Sequence, residues 1–243
     1  MQKRVAIVTG GLNGIGEMVV QRLLAKGCKV VCIDQGVKKL NIKDNLEYAK
    51  ADVTNSDDLK KVIDMTWKKY NHIDILVNAV GGTIHSKSIE EISDSDWNET
   101  FNLNIWSTFN CTRAVIPYMK RNRYGRIVNI SAVAGKTFTL FGGVDFAAAK
   151  AAVIGFTHQC AYEFASDGII VNAVAPGLTL TERVEKMWSE YSNEKKAYIL
   201  EQIPLGRPSK VDEQAAVICF LCSEEASYIN GAILDVNGAM FVG

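Results

Sequence analysis

The segment Thr9-Gly10-Gly11-Leu12-Asn13-Gly14-Ile15-Gly16 decides the fold of this 243-residue chain. An apolar run from residue 5 to residue 8 precedes it, and a stretch with helical periodicity follows it. Glycines allow a tight turn and let a phosphate group approach the backbone, and the start of the following helix offers free N–H groups. This order of strand, turn and helix predicts a loop that binds a dinucleotide pyrophosphate; the alternative is a glycine-rich turn that holds no ligand.

Apolar runs of strand length alternate with periodic segments of helix length from one end of the chain to the other. Apolar strands separated by helices are typical of a parallel sheet that is covered on both faces. We therefore expect an α/β fold, a single doubly wound Rossmann-type domain over residues 1–243 with a seven-stranded parallel sheet and helices on both faces. The predicted strands are 5–9, 29–34, 46–50, 73–78, 126–131, 169–174 and 232–236, and the predicted helices lie near 14–26, 56–70, 96–120, 144–166, 181–202 and 211–222.

Composition excludes several classes of function. Lys plus Arg and Asp plus Glu both number 27, so the formal net charge is zero, which argues against a nucleic-acid partner. No apolar run approaches the roughly 18 residues of a membrane helix, and the first residues lack a signal-peptide pattern. We expect a cytoplasmic protein without a membrane partner. The six cysteines are scattered through apolar segments, and the pair Cys219 and Cys222 has no second pair nearby, so we expect reduced thiols and no metal site.

An acidic residue, Asp34, ends the second predicted strand 18 residues after Gly16. A carboxylate at this place accepts hydrogen bonds from the adenosine ribose hydroxyls of a dinucleotide. No Arg or Lys lies between Gly10 and Gly16 or in the three residues after Asp34. A 2′-phosphate would meet Asp34 without a nearby cation, so we expect the cofactor to be NAD rather than NADP.

Motifs along the whole chain, beginning with Thr-Gly-x-x-x-Gly-x-Gly, resemble those of the short-chain dehydrogenase/reductase family. Ala51-Asp52-Val53 resembles the Asp-Val motif that lines the family's adenine pocket, and Asn78-Ala79-Val80-Gly81 resembles the motif at the end of its fourth strand. The segment 176–181 resembles the family's Pro-Gly-x-x-x-Thr motif, whose Thr contacts the nicotinamide amide. The resemblance implies cofactor contacts from Gly10, Asn13, Gly14, Ile15, Gly16, Asp34, Asp52, Val53, Asn78, Val80, Gly81, Lys150, Pro176, Gly177, Thr179 and Thr181.

The catalytic residues of the resembled family are incomplete in this chain. The family uses a Tyr and a Lys four residues apart on one helix, an upstream Ser and an Asn. Asn104 and Lys150 match, but Phe146 stands at the Tyr position and Ala132 at the Ser position. Losing a general acid or base typically costs roughly 10²–10⁴ in rate. If the alignment of this loop shifts, the hydroxyls of Ser131, Thr137 and Thr139 are the replacements for the missing Ser.

Three interpretations remain open. The chain is an NAD-binding subunit without activity of its own, paired with an active paralogous subunit, because the resembled family includes hetero-oligomers with one degenerate subunit in aromatic and acyl-CoA degradation. Alternatively, the two changes are engineered into an active NAD-dependent alcohol or cis-diol dehydrogenase. In the third interpretation the chain catalyses a reaction that needs no Tyr, or another group transfers the proton; the candidates for that group are Thr83, His85 and Asp145. A purely structural or regulatory protein that no longer binds a cofactor is disfavoured by the intact glycine loop and by the presence of the other motif residues, Asp34, Asp52, Asn78, Lys150 and Thr181.

The segments expected to contact the substrate say less about its identity than the cofactor motifs say about the cofactor. The segment 78–84 resembles a version found in cis-diol dehydrogenases of aromatic degradation, which points to a cyclic or aromatic substrate. The family places its substrate lid at 178–205, where this chain has Met187, Trp188, Tyr191 and Tyr198 among mixed charges; the same residues are equally compatible with a core-facing stripe. The alanine-rich helix from Val144 corresponds to a subunit interface in the family, so we expect a homo- or hetero-oligomer, dimer or tetramer.

Overall fold

A computed structural model describes residues 3–36 and 44–243 of the chain. Val37, the last of the three residues considered after Asp34, lies outside these ranges. Within them, no helix combines the length and apolar character needed to cross a membrane. The six cysteines are free and buried.

Seven parallel strands form one sheet in the order β3-β2-β1-β4-β5-β6-β9, which confirms the predicted fold class. Two short strands, β7 and β8, pair separately beside the region of the predicted lid. The bounds of the strands are β1 Val5–Thr9, β2 Lys29–Asp34, β3 Leu46–Lys50, β4 Ile75–Asn78, β5 Gly125–Ile130, β6 Ile169–Pro176, β7 Thr179–Leu180, β8 Ser209–Lys210 and β9 Ile233–Val236.

Alternate side chains of the central strand β1 enter two different apolar layers. Ala6 and Val8 pack in the layer that contains Val19 and Ile218, whereas Ile7 packs in the layer that contains Leu59. All five residues of β1 are buried because both faces of a parallel sheet are covered by helices. This explains why the strand is apolar throughout rather than alternating.

Two of the predicted helices are interrupted in the structure. The segment predicted as one helix over 96–120 begins at Asp94 and contains a five-residue π-helical stretch, Asn102–Trp106. The prediction of one helix over 181–202 is wrong, because Ser192 caps a second helix by accepting a hydrogen bond from Lys195 N at 3.2 Å. The bounds are α1 Gly14–Ala25, α2 Ser56–Tyr70, α3 Asp94–Phe101, α4 Ser107–Asn122, α5 Val144–Phe164, α6 Glu182–Ser189, α7 Asn193–Glu201 and α8 Val211–Leu221.

The strand order reverses between β1 and β4. The chain runs outward from β1 through β2 to β3, and then returns to β4 on the other side of β1. In open α/β sheets of this kind, ligands bind in the crevice beyond the carboxyl ends of the strands at the reversal. The fold therefore places the candidate cleft where β1 ends at Thr9 and β4 ends at Asn78.

Candidate cofactor and substrate cleft

The glycine loop lies tightly against the start of α1. A Cβ atom placed on Gly16 would lie 2.2 Å from the Gly10 carbonyl oxygen, which is far inside van der Waals contact. Gly10 and Gly14 have positive φ angles of 65° and 55°. The loop therefore requires glycine at these three positions to fold back on the helix.

The first turn of α1 presents unpaired backbone donors. Asn13 precedes the helix in an extended conformation, and its side chain makes no capping hydrogen bond. In the part of the chain that the structure describes, the N–H groups of Gly14, Ile15 and Gly16 donate to no protein acceptor. Free N–H groups at a helix N-terminus attract an anion such as a pyrophosphate.

Asp34 connects the end of β2 to the glycine loop. Its carboxylate accepts hydrogen bonds from Leu12 N at 3.2 Å and from Gly36 N at 3.0 Å. The side chain is half-buried at the mouth of the cleft. Two backbone donors hold the carboxylate in place and leave further lone pairs for a ligand.

The turn after β3 holds a second carboxylate. Asp52 accepts hydrogen bonds from Thr54 N at 2.8 Å and from the Thr54 hydroxyl at 2.7 Å. Burial raises the pKa of Asp52, but the hydrogen bonds from Thr54 and Gln35 outweigh it, and the pKa falls below its ordinary value. The neighbouring Val53 is buried, and its carbonyl accepts from the Asn110 amide at 2.8 Å.

Asn78, at the end of β4, has its side chain in a buried polar network. Its amide nitrogen donates to Thr112 Oγ1 at 3.1 Å and to Asn129 Oδ1 at 2.8 Å. Asn129 in turn donates to the Thr157 hydroxyl at 2.9 Å. The structure therefore places the side chain of Asn78 between strands and helices of the core, where it fixes the end of β4.

The two glycines after the half-buried Val80 form one wall of the cleft. Gly81 and Gly82 have φ angles of 147° and 142°, a conformation that L-residues with side chains rarely adopt. A Cβ on Gly81 would lie 2.8 Å from Asn104 Oδ1 and 3.0 Å from Lys150 Nζ. The absence of a side chain at Gly81 thus lets Asn104 and Lys150 reach this wall.

Asn104 holds this glycine pair from the π-helical stretch. Its side-chain oxygen accepts from Gly82 N at 2.8 Å, and its amide nitrogen donates to Gly82 O and to Thr100 O, each at 3.0 Å. A π turn shifts the register of a helix, and such turns are frequent at functional sites. Here it places a fully buried amide at the wall of the cleft.

Lys150 is buried beside a ring that has no hydroxyl group. Its ammonium donates to Ile130 O at 2.8 Å and lies 5.9 Å from the centroid of the Phe146 ring. Burial, and then the nearby Arg183, lower the pKa of Lys150 to about 8. Among the described residues, no hydroxyl side chain hydrogen bonds with this ammonium.

The residues around Ala132 supply no obvious replacement for the missing Ser hydroxyl. Ala132 is extended and half-buried, directly after β5. The Ser131 hydroxyl is buried and donates to the Lys150 carbonyl at 2.8 Å, as expected for a side chain that points to the other side. Thr139 Oγ1 accepts from Phe141 N at 3.1 Å within its own loop.

The segment after β6 brings one of its two threonines to the glycine loop. Thr181 caps α6 by accepting from Val184 N, and its methyl group lies 3.1 Å from the Cβ position of Gly14. Thr179 is buried, and its hydroxyl pairs with Ser209 at 2.9 Å beside β8. Between Pro176 and Thr179, a Cβ atom placed on Gly177 would lie 2.9 Å from the Cα atom of Asn237.

The exposed side chain of Arg183 reaches the glycine wall, although the sequence analysis placed it only among the mixed charges of its segment. Its Nη1 donates to the Thr83 carbonyl at 2.8 Å, and its Nη2 lies 2.6 Å from the Cβ position of Gly82. The guanidinium thus bridges from α6 to the glycine wall. The sequence does show a cation two residues after Thr181, but only the fold shows that its side chain reaches the glycine wall.

The alternative acid–base candidates lie in other contacts. His85 Nε2 is 3.4 Å from Asp96 Oδ1 and 3.7 Å from Glu99 Oε2. Asp145 is buried and accepts from the Thr100 hydroxyl at 2.6 Å. Across residues 3–36 and 44–243, neither side chain hydrogen bonds or ion-pairs with Lys150, so neither replaces the absent phenol in this arrangement.

Known proteins share this fold and much of the sequence. The chain is 37% identical to a 3-oxoacyl-[acyl-carrier-protein] reductase of Salmonella typhimurium, with 98% of each chain covered. It is 36% identical to an acetoacetyl-CoA reductase of Allochromatium vinosum over 98% of this chain and 99% of the relative.

Solved structures of other proteins superpose on this chain over almost its whole length. ElxO with NADP bound superposes with a TM-score of 0.91 at 30% identity and covers 99% of both chains. A variant of ElxO in which a tyrosine is replaced by phenylalanine, with NADPH bound, superposes with a TM-score of 0.90 at 31% identity, also over 99% of both chains.

A family model described as enoyl-(acyl carrier protein) reductase matches residues 10–240. The match spans the glycine loop, the wall formed by Gly81 and Gly82, and the helix that carries Lys150. Proteins of this kind bind a nicotinamide cofactor and are typically oligomeric. The chain belongs to the short-chain dehydrogenase/reductase family of oxidoreductases.

Proposed function

We propose that this chain is an NAD(H)-binding subunit of a dehydrogenase complex and has little activity of its own. One observation carries the proposal. The Lys150 ammonium faces the ring of Phe146 at 5.9 Å, where a phenol would be needed to exchange a proton with a hydroxyl or carbonyl substrate. Phe146 has no proton to exchange, and Ala132 has no hydroxyl to hold a substrate oxygen.

The residues of the cleft fit a nicotinamide dinucleotide. The free N–H groups of the first turn of α1 suit a pyrophosphate, and the absence of side chains at the loop glycines lets a phosphate approach the backbone. When bound, the nicotinamide supplies or accepts a hydride. The residues we propose to hold the cofactor are Gly10, Asn13, Gly14, Ile15, Gly16, Asp34, Asp52, Val53, Asn78, Val80, Gly81, Lys150, Pro176, Gly177, Thr179 and Thr181, with Asn78 acting through its backbone.

NAD is our proposal over NADP because of Asp34. Two backbone N–H groups fix its carboxylate at the mouth of the cleft, where a 2′-phosphate would meet a negative charge. The solved relatives contain NADP or NADPH, so a direct comparison of the two cofactors tests this choice. The ElxO variant with phenylalanine in place of a tyrosine supports a further point, namely that a nicotinamide cofactor binds a family member that lacks one phenol.

The active partner would act on an acyl thioester. The curated relatives are named for reduction of 3-oxoacyl groups on acyl carrier protein and of acetoacetyl-CoA. We therefore propose a complex that interconverts a hydroxyl and a carbonyl group on such a substrate, in the cytoplasm, during aromatic or acyl-CoA degradation. The segment 178–205 is our proposed substrate lid, and Leu178, Ile199 and Ile203 form its small apolar core.

A groove on the outer face of α3, the π-helical stretch, α4 and α5 is the proposed contact with the partner. Phe109 and Phe156 line it in an edge-to-face arrangement with ring centroids 6.3 Å apart, next to Ala152 and the partly exposed Trp106. Half-buried and partly exposed aromatic side chains beside a small residue suit close packing of helices from another subunit. None of the residues that line the groove belongs to the glycine loop or to the wall formed by Gly81 and Gly82, so we propose that the contact leaves the cofactor cleft open.

The test combines binding, turnover and composition of the native complex. The pure chain should bind NADH, which is measured as a change in NADH fluorescence. It should not oxidise NADH when acetoacetyl-CoA is added. Native mass spectrometry of the chain isolated gently from its own host should show a second subunit of similar mass, and turnover should appear with that subunit. Turnover by the pure chain at an ordinary dehydrogenase rate would contradict the proposal.

A second candidate is an active NAD-dependent alcohol or cis-diol dehydrogenase in which Lys150 itself exchanges the proton. The observation in its favour is the pKa of Lys150, lowered to about 8, which lets the amine gain and lose a proton near neutral pH. Under this candidate, Lys150→Met abolishes turnover. In the otherwise unaltered chain, the double change Phe146→Tyr and Ala132→Ser should raise turnover by roughly 10²–10⁴. No gain in turnover would argue against this candidate.

A further inference from the structure

A buried carboxyl group lies in the first turn of α5, one residue before Phe146. Asp145 is only 1% exposed, and its Oδ2 accepts a hydrogen bond from the Thr100 hydroxyl at 2.6 Å. Its Oδ1 is also buried and has no hydrogen-bond partner in the described part of the chain. Burying a polar atom without a partner costs free energy, so such atoms are rare in folded proteins. The position of this carboxyl group therefore depends on its bond with Thr100.

Thr100 connects this carboxyl group to the wall of the cofactor cleft. Thr100 is fully buried near the end of α3, and its backbone carbonyl accepts from the Asn104 side-chain amide at 3.0 Å. Asn104 in turn bonds both backbone polar groups of Gly82. Its side-chain oxygen accepts from the N–H at 2.8 Å, and its amide donates to the carbonyl at 3.0 Å. An unbroken series of contacts thus leads from α5 through α3 to the glycine wall.

We infer that Asp145 and Thr100 are positioning residues for Asn104, and that through Asn104 they set the shape of the glycine wall. This inference rests on the proposed function, because that wall contacts a cofactor only if the cleft binds a nicotinamide dinucleotide. It gives Asp145 a role that requires neither contact with Lys150 nor a proton transfer.

Two features of the chain make support from outside necessary for this wall. Glycine has more accessible backbone conformations than other residues, so contacts must hold the φ angles of 147° and 142° at Gly81 and Gly82. Asn104, which contacts Gly82, lies in the π-helical stretch Asn102–Trp106, where the hydrogen-bond pattern of an α-helix changes. A fixed Thr100 carbonyl gives the Asn104 amide a defined orientation at that point.

The carboxyl group can be displaced without removing either polar partner. A Cβ atom placed on Gly143 would lie 2.5 Å from Asp145 Oδ1, well inside van der Waals contact. The next nearest atoms, Lys87 O at 3.1 Å and Ile92 Cδ1 at 3.3 Å, are farther away. The φ angle of −89° at Gly143 suits an alanine. Gly143→Ala should therefore push on the carboxyl group while the hydroxyl of Thr100 stays in the chain.

The experiment compares Thr100→Val with Thr100→Ser in the full-length chain. Fluorescence titration gives the dissociation constant for NADH. The NMR signal of the Gly82 amide, which donates to Asn104, reports on the wall without a cofactor. We expect Thr100→Val to shift the Gly82 signal and to weaken NADH binding by about fivefold, the effect of one typical hydrogen bond. Thr100→Ser, which retains the hydroxyl, should recover most of both changes.

Further variants separate positioning from packing. Gly143→Ala should change both readouts in the same direction as Thr100→Val, and it replaces that variant if Thr100→Val does not fold. Asp145→Leu should weaken NADH binding as Thr100→Val does, and Asp145→Asn, which retains an oxygen acceptor, should recover part of the loss. Thr66→Val is the control: it removes a buried hydroxyl that donates at 2.8 Å to a carbonyl of its own helix, α2, and it should alter neither readout.

Several results would overturn the inference. If either readout stays unchanged in folded Thr100→Val or Gly143→Ala, the pair only packs α3 against α5. The same conclusion follows if Thr66→Val weakens NADH binding equally, or if Thr100→Ser recovers nothing. Absence of NADH binding by the unaltered chain is a separate outcome that contradicts the proposed function. The Gly82 signal then decides alone whether Asp145 and Thr100 position Asn104.

Discussion

The Lys150 ammonium lies 5.9 Å from the centroid of the Phe146 ring, which precedes it by one turn of α5. Lys150 is buried and donates to the carbonyl of Ile130, so the position of its charge is fixed by the fold. Phenylalanine and tyrosine share the same ring, and a tyrosine at this position would bring its hydroxyl group into the field of the ammonium. The pair thus keeps the shape of a proton-exchange site without its proton.

The first prediction concerns Phe146→Tyr. The new phenol should titrate below the ordinary tyrosine pKa of about 10, because a nearby cation favours the phenolate. The difference in ultraviolet absorbance between the variant and the unaltered chain, followed against pH, isolates this one group. Adding Lys150→Met to the variant is the control, and an identical titration in the two variants would show that the ammonium does not reach the phenol.

The second prediction concerns Gly16→Ala. The added methyl group would lie 2.2 Å from the Gly10 carbonyl oxygen, so the glycine loop or the start of α1 must shift. We expect a loss of about 1–3 kcal/mol in the free energy of unfolding, typical of overpacking, together with loss of NADH binding. Urea denaturation and NADH titration measure the two effects.

Gly155→Ala is the matched control for Gly16→Ala, measured in the isolated chain. Gly155 lies inside α5, and a Cβ there meets no atom within 4 Å. Alanine in a helix interior is favoured over glycine by roughly 0.5–1 kcal/mol, so this variant should be slightly more stable and should bind NADH as before. Equal destabilisation by both changes would contradict the close approach of Gly16 to Gly10.

The sheet could be predicted from the sequence because its strands are buried on both faces. Ala6, Ile7 and Val8 enter two different apolar layers, and such a strand reads as one apolar run with turn residues at its end. The glycine loop could also be predicted, because the spacing of its glycines is fixed by a local turn and does not depend on distant residues.

Positions that depend on distant contacts could not be predicted in the same way. Asn78 lies at the expected end of β4, but its side chain joins Asn129, which comes from another strand 51 residues later. The direction of Arg183 depends on where Thr83 lies, 100 residues earlier in the chain. The π-helical stretch around Asn104 left no mark in the apolar periodicity, because one extra residue in a long helix changes the pattern only slightly.

The third prediction concerns cofactor choice at Asp34. The unaltered chain should bind NADH more tightly than NADPH, since the Asp34 carboxylate would repel a 2′-phosphate. Asp34→Asn retains an oxygen that can accept from Leu12 N or Gly36 N but removes the charge, so the ratio of the two affinities should move toward NADPH. Fluorescence titration with both cofactors gives the ratio. Asp94→Asn, at the exposed start of α3, is the control, and a ratio that is unchanged in Asp34→Asn would disprove the role of the charge.

The fourth prediction is a dependence of stability on pH that arises from Lys150. The ordinary pKa of 10.5 applies in the unfolded chain, and the fold lowers it to about 8. Between these values the unfolded chain binds more protons than the folded one, so the free energy of unfolding contributed by Lys150 rises with pH in this window. Below about pH 8 both states carry the proton, and the buried charge destabilises the fold by a constant amount.

The measurement is urea denaturation of the unaltered chain and of Lys150→Met at several pH values from neutral to the ordinary lysine pKa. The difference in free energy of unfolding should shift in favour of the unaltered chain by at most about 3 kcal/mol, since one pKa unit corresponds to 1.36 kcal/mol. Lys68→Met, on the exposed side of α2, should follow the unaltered chain throughout. Parallel curves for the unaltered chain and Lys150→Met would show that burial does not favour the neutral amine.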